Sequence, residues 1–135
     1  MTLVDSNVIL DLINDDGLWG TWSVQQLEAA SLVGPLLIND VIYAEISARY
    51  ERMEDLDDML DEAGIQIASI PKEALFLAGK AFIEYRRPGG TRLGVLPDFF
   101  IGAHAAVSNI PLLTRDVPRY RTYFPSLQII GPDTH

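Results

Sequence analysis

The chain has 135 residues, 48% hydrophobic and 21% charged, with a formal net charge of −9. That length suits one domain with a single packed core, and the composition excludes a disordered chain. With no cysteine and two histidines, disulfide frameworks, thiolate zinc sites and cysteine nucleophiles are excluded, and little imidazole chemistry remains.

The N-terminus has no basic region ahead of an apolar core, and no apolar run approaches the ~20 residues needed to cross a bilayer. The expectation is a cytoplasmic protein without a membrane partner.

The charge is uneven. Residues 1–71 hold 14 acids and 2 bases, whereas residues 72–135 hold 5 acids and 8 bases. A nucleic-acid partner is therefore compatible with an acidic total, since Arg86, Arg87, Arg92, Arg115, Arg119 and Arg121 can line one cleft.

In chain order, residues 2–5 read as a buried strand ending on Asp5, followed by a helix over about 7–14, where Val8, Ile9, Leu12 and Ile13 follow helical spacing. Asp15, Asp16 and Gly17 stop it. A nucleotide-binding crossover would place a glycine-rich turn after the strand, so that backbone amides approach a phosphate. This turn offers Asp5, Ser6 and Asn7, oxygen-bearing groups that suit a cation better than an anion.

Thr21 is positioned to cap a second helix reaching about residue 33, ended by Gly34 and Pro35, and Leu36, Leu37 and Ile38 form the second strand. Asn39 or Asp40 then caps a third helix, "VIYAEISARY". "MEDLDDMLDEAG" is an acidic amphipathic helix closed by Gly64, and "IQIASI" alternates as a strand. The acids of this fourth helix read as a solvated face rather than a metal site.

Pro71 opens a helix of about four turns, and a glycine-rich loop, "PGGTRLGVL", follows it. The loop is either a cover over substrate or a plain connector. "PDFFIGAHAAVSN" is apolar almost all round and reads as a buried helix, "IPLLT" as a strand, "RDVPRYRTYF" as a loop with a short helical turn, and "LQIIG" as a last strand. Strands separated by helices predict parallel pairing with right-handed crossovers, hence an α/β fold, a three-layer α/β/α sandwich around a mostly parallel central sheet.

Ligands of such sheets bind beyond the carboxyl ends of the strands. Asp5 and Asp116 fall there. Glu45 shares a helix face with Val41, Ile42 and Ile46, where an unpaired charge costs several kcal/mol or shifts its pKa until it is neutral, on the order of what burial of a carboxylate entails. An ion pair with Arg49, four residues on, is the plain alternative. Asp98 opens the buried helix just after Pro97. A lone acid there commonly satisfies free amides, but this helix is otherwise nearly devoid of polar groups, and Gly102 one turn on permits close approach of another element.

Four acids converging in this way repel one another unless a cation lies among them. One or two Mg²⁺ or Mn²⁺ ions take oxygen ligands of this kind, with Asn7 and Thr114 orienting them through hydrogen bonds. A metal-held water is a nucleophile at neutral pH. Acids, divalent metal and nearby arginines together match phosphodiester hydrolysis.

The segments "VDSNVILDL" with Asp5 and Asn7, "NDVIYAEIS" with Glu45, "LPDFFIGAHA" with Asp98, and "LLTRDVPRYRTYFPSLQII" with Thr114 and Asp116 resemble the PIN-domain ribonucleases, and more narrowly the VapC-type toxins of bacterial type II toxin-antitoxin pairs. The resemblance spans the chain and implies a single PIN-like nuclease domain over residues 1–135. It also implies a Mg²⁺-dependent endoribonuclease, with Mn²⁺ able to substitute, that is dimeric and silenced by a small antitoxin. Asp5, Glu45, Asp98 and Asp116 become the catalytic and metal-binding acids, with Asn7 and Thr114 as supporting polar groups.

Arg92, Arg115 and Arg119 are candidates for holding RNA phosphates or an antitoxin's acidic groups; the plain alternative is a solvated basic cluster. His104, six residues after Asp98, reads as a hydrogen-bonded core histidine, and His135 as a loose terminus. Trp19, Trp22, Tyr43 and Tyr50 are either core or interface.

Two competing readings remain. Aspartyl-phosphate phosphatases also place an aspartate after the first strand, but they resemble Asp-x-Asp there, and this chain has Asn7 at the third position. The other is a catalytically weak PIN-fold module that binds RNA or protein; a lost acid would mark it, and none is lost.

Overall fold

The computed structural model describes residues 1–14, 17–91 and 95–132. Five strands, β1 (Thr2–Val4), β2 (Leu36–Asn39), β3 (Ile65–Ala68), β4 (Leu112–Leu113) and β5 (Ile129–Ile130), form one sheet in the order β3-β2-β1-β4-β5. Every pairing is parallel, so the expected parallel sandwich is present, and among the described residues the sheet has no antiparallel member. β1, β2 and β4 are buried along their whole length. That is why they read as continuous apolar runs rather than as alternation.

The helices between the strands are α1 (Ser6–Asn14), α2 (Gly20–Val33), α3 (Asp40–Ser47), α4 (Met53–Ala63), α5 (Lys72–Arg86), α6 (Leu96–Ser108) and α7 (Val117–Tyr123). Local chemistry sets their ends. Asn39 caps α3, its side chain accepting from the Ile42 amide at 3.0 Å. Gly64 closes α4 at φ 70°, a left-handed value that favours glycine.

Two local expectations are corrected. α2 begins at Gly20 after Trp19, with no side-chain cap, so Thr21 lies inside the helix. The segment after β4 is a seven-residue helix, α7, rather than a loop with one turn. Tyr120 and Phe124 drive this by burial, at 1% and 4% exposure.

Aromatic packing holds α7 against α6. Phe99 stands edge-on to Tyr123, with ring centroids 4.9 Å apart, and meets Phe124 at 6.5 Å. Gly102 makes the approach possible: a Cβ on it would stand 2.6 Å from two ring carbons of Phe124. α6 is buried at Phe99 and from Ile101 through Ala105, in keeping with its apolar sequence.

The sheet order sets the location of the site. The chain runs outward from β1 through β2 to β3, then crosses back to β4 on the other side of β1. The direction of winding therefore reverses between β1 and β4, and the carboxyl ends there open a crevice, the usual ligand position in open α/β sheets. Among the described residues, no helix is long and apolar enough to cross a membrane.

Candidate active site

The β1–β4 register pairs Leu3 with Leu112 and Val4 with Leu113, so the next residues on each strand, Asp5 and Thr114, emerge side by side at the crevice. Asp5 is 2% exposed and densely held. Its Oδ1 accepts from the Ser6 amide at 2.7 Å, while its Oδ2 accepts from Thr114 Oγ1 at 2.8 Å, Tyr120 OH at 3.0 Å and Asn7 Nδ2 at 3.3 Å. Asn7 also donates to Thr114 Oγ1 at 3.2 Å and accepts the Arg115 amide at 3.2 Å, and Thr114 Oγ1 accepts the Asp116 amide at 3.0 Å. The two expected supporting residues thus sit directly behind Asp5.

Burial pushes the Asp5 carboxyl up to about 6, and the nearby Asp98 charge adds to this against the opposing pull of its hydrogen bonds. Glu45, half-buried on α3, is raised by burial and by the charges of Asp5 and Asp98, with Ser6 pulling the other way. Asp98, in the first turn of α6, is raised by burial and by Asp116, and held back by Arg119. Asp5, Glu45 and Asp98 thus lie near enough for each to be influenced by the charge of another acid, with Asp116 beside Asp98 across Arg119.

Glu45 makes no ion pair with Arg49 among the described residues, and its buried Oε1 has no hydrogen-bond partner. A buried acceptor without a donor is costly, and a carboxylate oxygen beside two further acids needs a positive charge. The donor set is all oxygen, which fits a hard divalent cation such as Mg²⁺. As they stand, no three acidic or imidazole groups among the described residues enclose an ion.

Part of the expected repulsion is relieved by the chain itself. Arg119 Nη1 pairs with Asp98 Oδ2 and stands 3.6 Å from Asp116 Oδ2. It keeps its charge, because those two acids outweigh the effect of its partial burial. The expectation that only a metal could balance these acids is corrected to that extent.

Arg115 is placed differently from expectation. It does not reach outward for phosphate. Its Nε and Nη2 each lie 2.8 Å from oxygens of Asp11, a buried acid on α1 that also accepts from Ser23 Oγ at 2.7 Å. Its guanidinium lies over the Trp19 ring at 5.0 Å. Arg92 and His135 lie outside the described residues, as do Asp15 and Asp16.

His104 is a core residue as expected. Asn39 Oδ1 is committed to capping α3, so its Nδ2 is the donor to His104 Nδ1 at 3.1 Å. Burial lowers the imidazole pKa, against a smaller opposing effect of Asp40. Tyr43 meets Asp57 at 2.9 Å, and Trp19 stands edge-on to Trp22.

Tyr120 is the site residue that sequence reasoning missed. Burial, together with the charges of Asp5 and Asp98, raises its hydroxyl well above the usual value, which fixes it as a donor. Its ring reads as core in sequence, and nothing local distinguishes the hydroxyl.

The chain superposes on several solved structures. It matches VapBC2 from Rickettsia felis bound to a promoter DNA fragment with a TM-score of 0.73 and 19% identity, covering 98% of each chain. It matches a toxin-antitoxin complex from Klebsiella pneumoniae with a TM-score of 0.68 and 21% identity, covering 96% of each. It matches VapBC-1 from nontypeable Haemophilus influenzae with a TM-score of 0.69 and 16% identity, again covering 96% of each. At these identities the likeness is one of fold. No curated protein sequence matches the chain. The sequence model of the PIN domain matches residues 2–124, which takes in Asp5, Glu45, Asp98 and Asp116. The chain belongs to the PIN domain family.

Proposed function

We propose that this protein is a Mg²⁺-dependent endoribonuclease, the toxin of a toxin-antitoxin pair, acting in the cytoplasm as a homodimer and silenced by a small antitoxin protein. The observation that carries the reading is the convergence of Asp5, Glu45 and Asp98 at the β1–β4 crevice, with a buried, unpartnered oxygen on Glu45. Asp5, Glu45 and Asp98 would hold the metal, and Asp116 would join them from the rim. Mn²⁺ would substitute. The antitoxin partner is supported by the likeness to VapBC assemblies and to a toxin-antitoxin complex.

Bound Mg²⁺ would supply an activated water and neutralise charge at the scissile phosphate. The chain's own residues prepare that site. Thr114, Tyr120 and Asn7 fix Asp5 through Oδ2 and the Ser6 amide fixes it through Oδ1, so the carboxylate cannot rotate. Partial burial of Glu45 and Asp98 strengthens charge interactions there relative to open water.

Incubating purified protein with single-stranded and stem-loop RNA tests the reading. Cleavage is expected with Mg²⁺ or Mn²⁺, and EDTA is expected to stop it. Asp5→Ala and Asp98→Ala should each abolish cleavage while circular dichroism shows a retained fold. Full activity in both variants overturns the mechanism. One observation favours a second reading, a catalytically weak PIN-fold module that binds RNA or protein: Arg119 already balances two of the acids. RNA binding without cleavage at any metal concentration would select it.

A further inference from the structure

The two described arginines that flank Asp116 in sequence have opposite fates. Arg115 is locked: both its contacts fall on a carboxylate that is 4% exposed, and an indole ring covers it. Among the described residues, Arg119 is held only by Asp98, 20% exposed, and at longer range by Asp116, 42% exposed. Its backbone is nevertheless fixed, because the next residue, Tyr120, is buried against Gly102 and hydrogen-bonded to Asp5. The guanidinium alone is therefore free to leave, on a long side chain that stays rooted beside the site.

We infer that Arg119 is a resident counter-ion of the carboxylate crevice, which an entering divalent cation displaces from Asp98 and which then takes a phosphate oxygen of the RNA. The inference rests on the metal-dependent reading above.

Three observations lead to it. The guanidinium sits on the carboxylate of Asp98, which with Asp5 and Glu45 would hold the metal, and one carboxylate cannot serve both cations at close range without strong repulsion between them. In this state no three acids among the described residues enclose an ion, and of Asp5, Glu45 and Asp98 it is Asp98 that is paired with a cationic side chain. The alternative partners for the released group are Asp116, 3.6 Å away, and whatever anion enters the crevice. A guanidinium binds a phosphodiester through paired N–H donors. Metal and substrate would then load in order, with the arginine vacating one role to take the other.

The test is a Mn²⁺ titration of metal-free protein without RNA, following the free ion by electron paramagnetic resonance. Removing the internal competitor should tighten binding, and losing a charge-assisted hydrogen bond of this kind corresponds to about tenfold. Arg119→Gln is therefore expected to bind Mn²⁺ about tenfold more tightly than wild type, while its KM for RNA at saturating metal rises. Arg119→Lys, which keeps the charge, should bind Mn²⁺ with nearly wild-type affinity. Should Arg119→Gln not fold, Arg119→Met retains the aliphatic stem and gives the same reading.

Unchanged or weaker Mn²⁺ binding in the folded, uncharged variant overturns the inference, as does an Arg119→Lys affinity as tight as that of Arg119→Gln. In both cases wild-type Mn²⁺ binding leaves the nuclease reading standing. A wild-type protein that binds no Mn²⁺ overturns both.

Discussion

Thr114 donates its hydroxyl to Asp5 Oδ2 at 2.8 Å although 109 residues separate the two in the chain. The contact follows from neighbouring parallel strands that end at the same level. It ties the integrity of the acid crevice to the pairing of β1 with β4.

Tyr120→Phe deletes one of the three donors on Asp5 Oδ2 while keeping the ring packed against Gly102. Removing a group that orients a metal ligand typically costs about 10- to 100-fold in metal affinity or activity. Cleavage at limiting Mg²⁺ should fall by that factor with the melting temperature shifted little, and paired rate assays and thermal melts measure both.

Arg115→Ala strands the Asp11 carboxylate, 4% exposed, without its cation. Breaking a buried ion pair from one side costs roughly 3 to 5 kcal/mol, and the partial exposure of Arg115 puts the expected loss near the lower figure. Arg121→Ala, at an exposed position, should stay within about 0.5 kcal/mol of wild type. Urea titrations of the two variants should separate them clearly.

Gly102→Ala gains helix propensity, worth about 1 kcal/mol, but its Cβ would press on Phe124 at 2.6 Å in a packed aromatic cluster. Overpacking of that kind costs roughly 1 to 3 kcal/mol, so a net destabilisation is expected. Displacement of α7 would also carry Tyr120 and Arg119 away from Asp5 and Asp98, and cleavage should drop more than stability does.

Metal-free stability should fall as pH rises from about 4 through about 6. Asp5 titrates near 6 in the fold against 3.8 unperturbed, so in that window the folded state binds more protons than the unfolded one, and the slope of unfolding free energy with pH is negative. Asp5 alone contributes on the order of 3 kcal/mol, and Glu45 and Asp98 shift in the same direction. Divalent metal binds the deprotonated form, so it should restore stability above pH 6, where its own binding strengthens. Melting curves from about pH 4 to 8, with EDTA and with Mn²⁺, check the sign, and Asp5→Asn should flatten the EDTA curve.

The alternation of strands and helices was legible because each element carries a local signature: Asn39 before α3, Gly64 after α4, the apolar length of α6. Asp5, Glu45 and Asp98 were legible because a carboxylate at a strand end or on an apolar face contradicts its surroundings. Arg115 was a candidate for phosphate, with a solvated cluster as the alternative, because its partner Asp11 lies 104 residues earlier in the chain and a basic run in sequence carries no record of which member is paired. Tyr120 was invisible for the complementary reason: a buried aromatic ring accounts for the residue whether or not its hydroxyl has a task. The length of α7 was underestimated because Tyr120 and Tyr123 pack onto α6, a contact made only in three dimensions.

In chain order β4, the partner of the central strand β1, comes after β2 and β3. Asp5 and Glu45 are therefore synthesised well before Thr114 and Tyr120, whose hydroxyls fix Asp5. Until β4 and α7 have been made, the polypeptide holds no finished acid crevice.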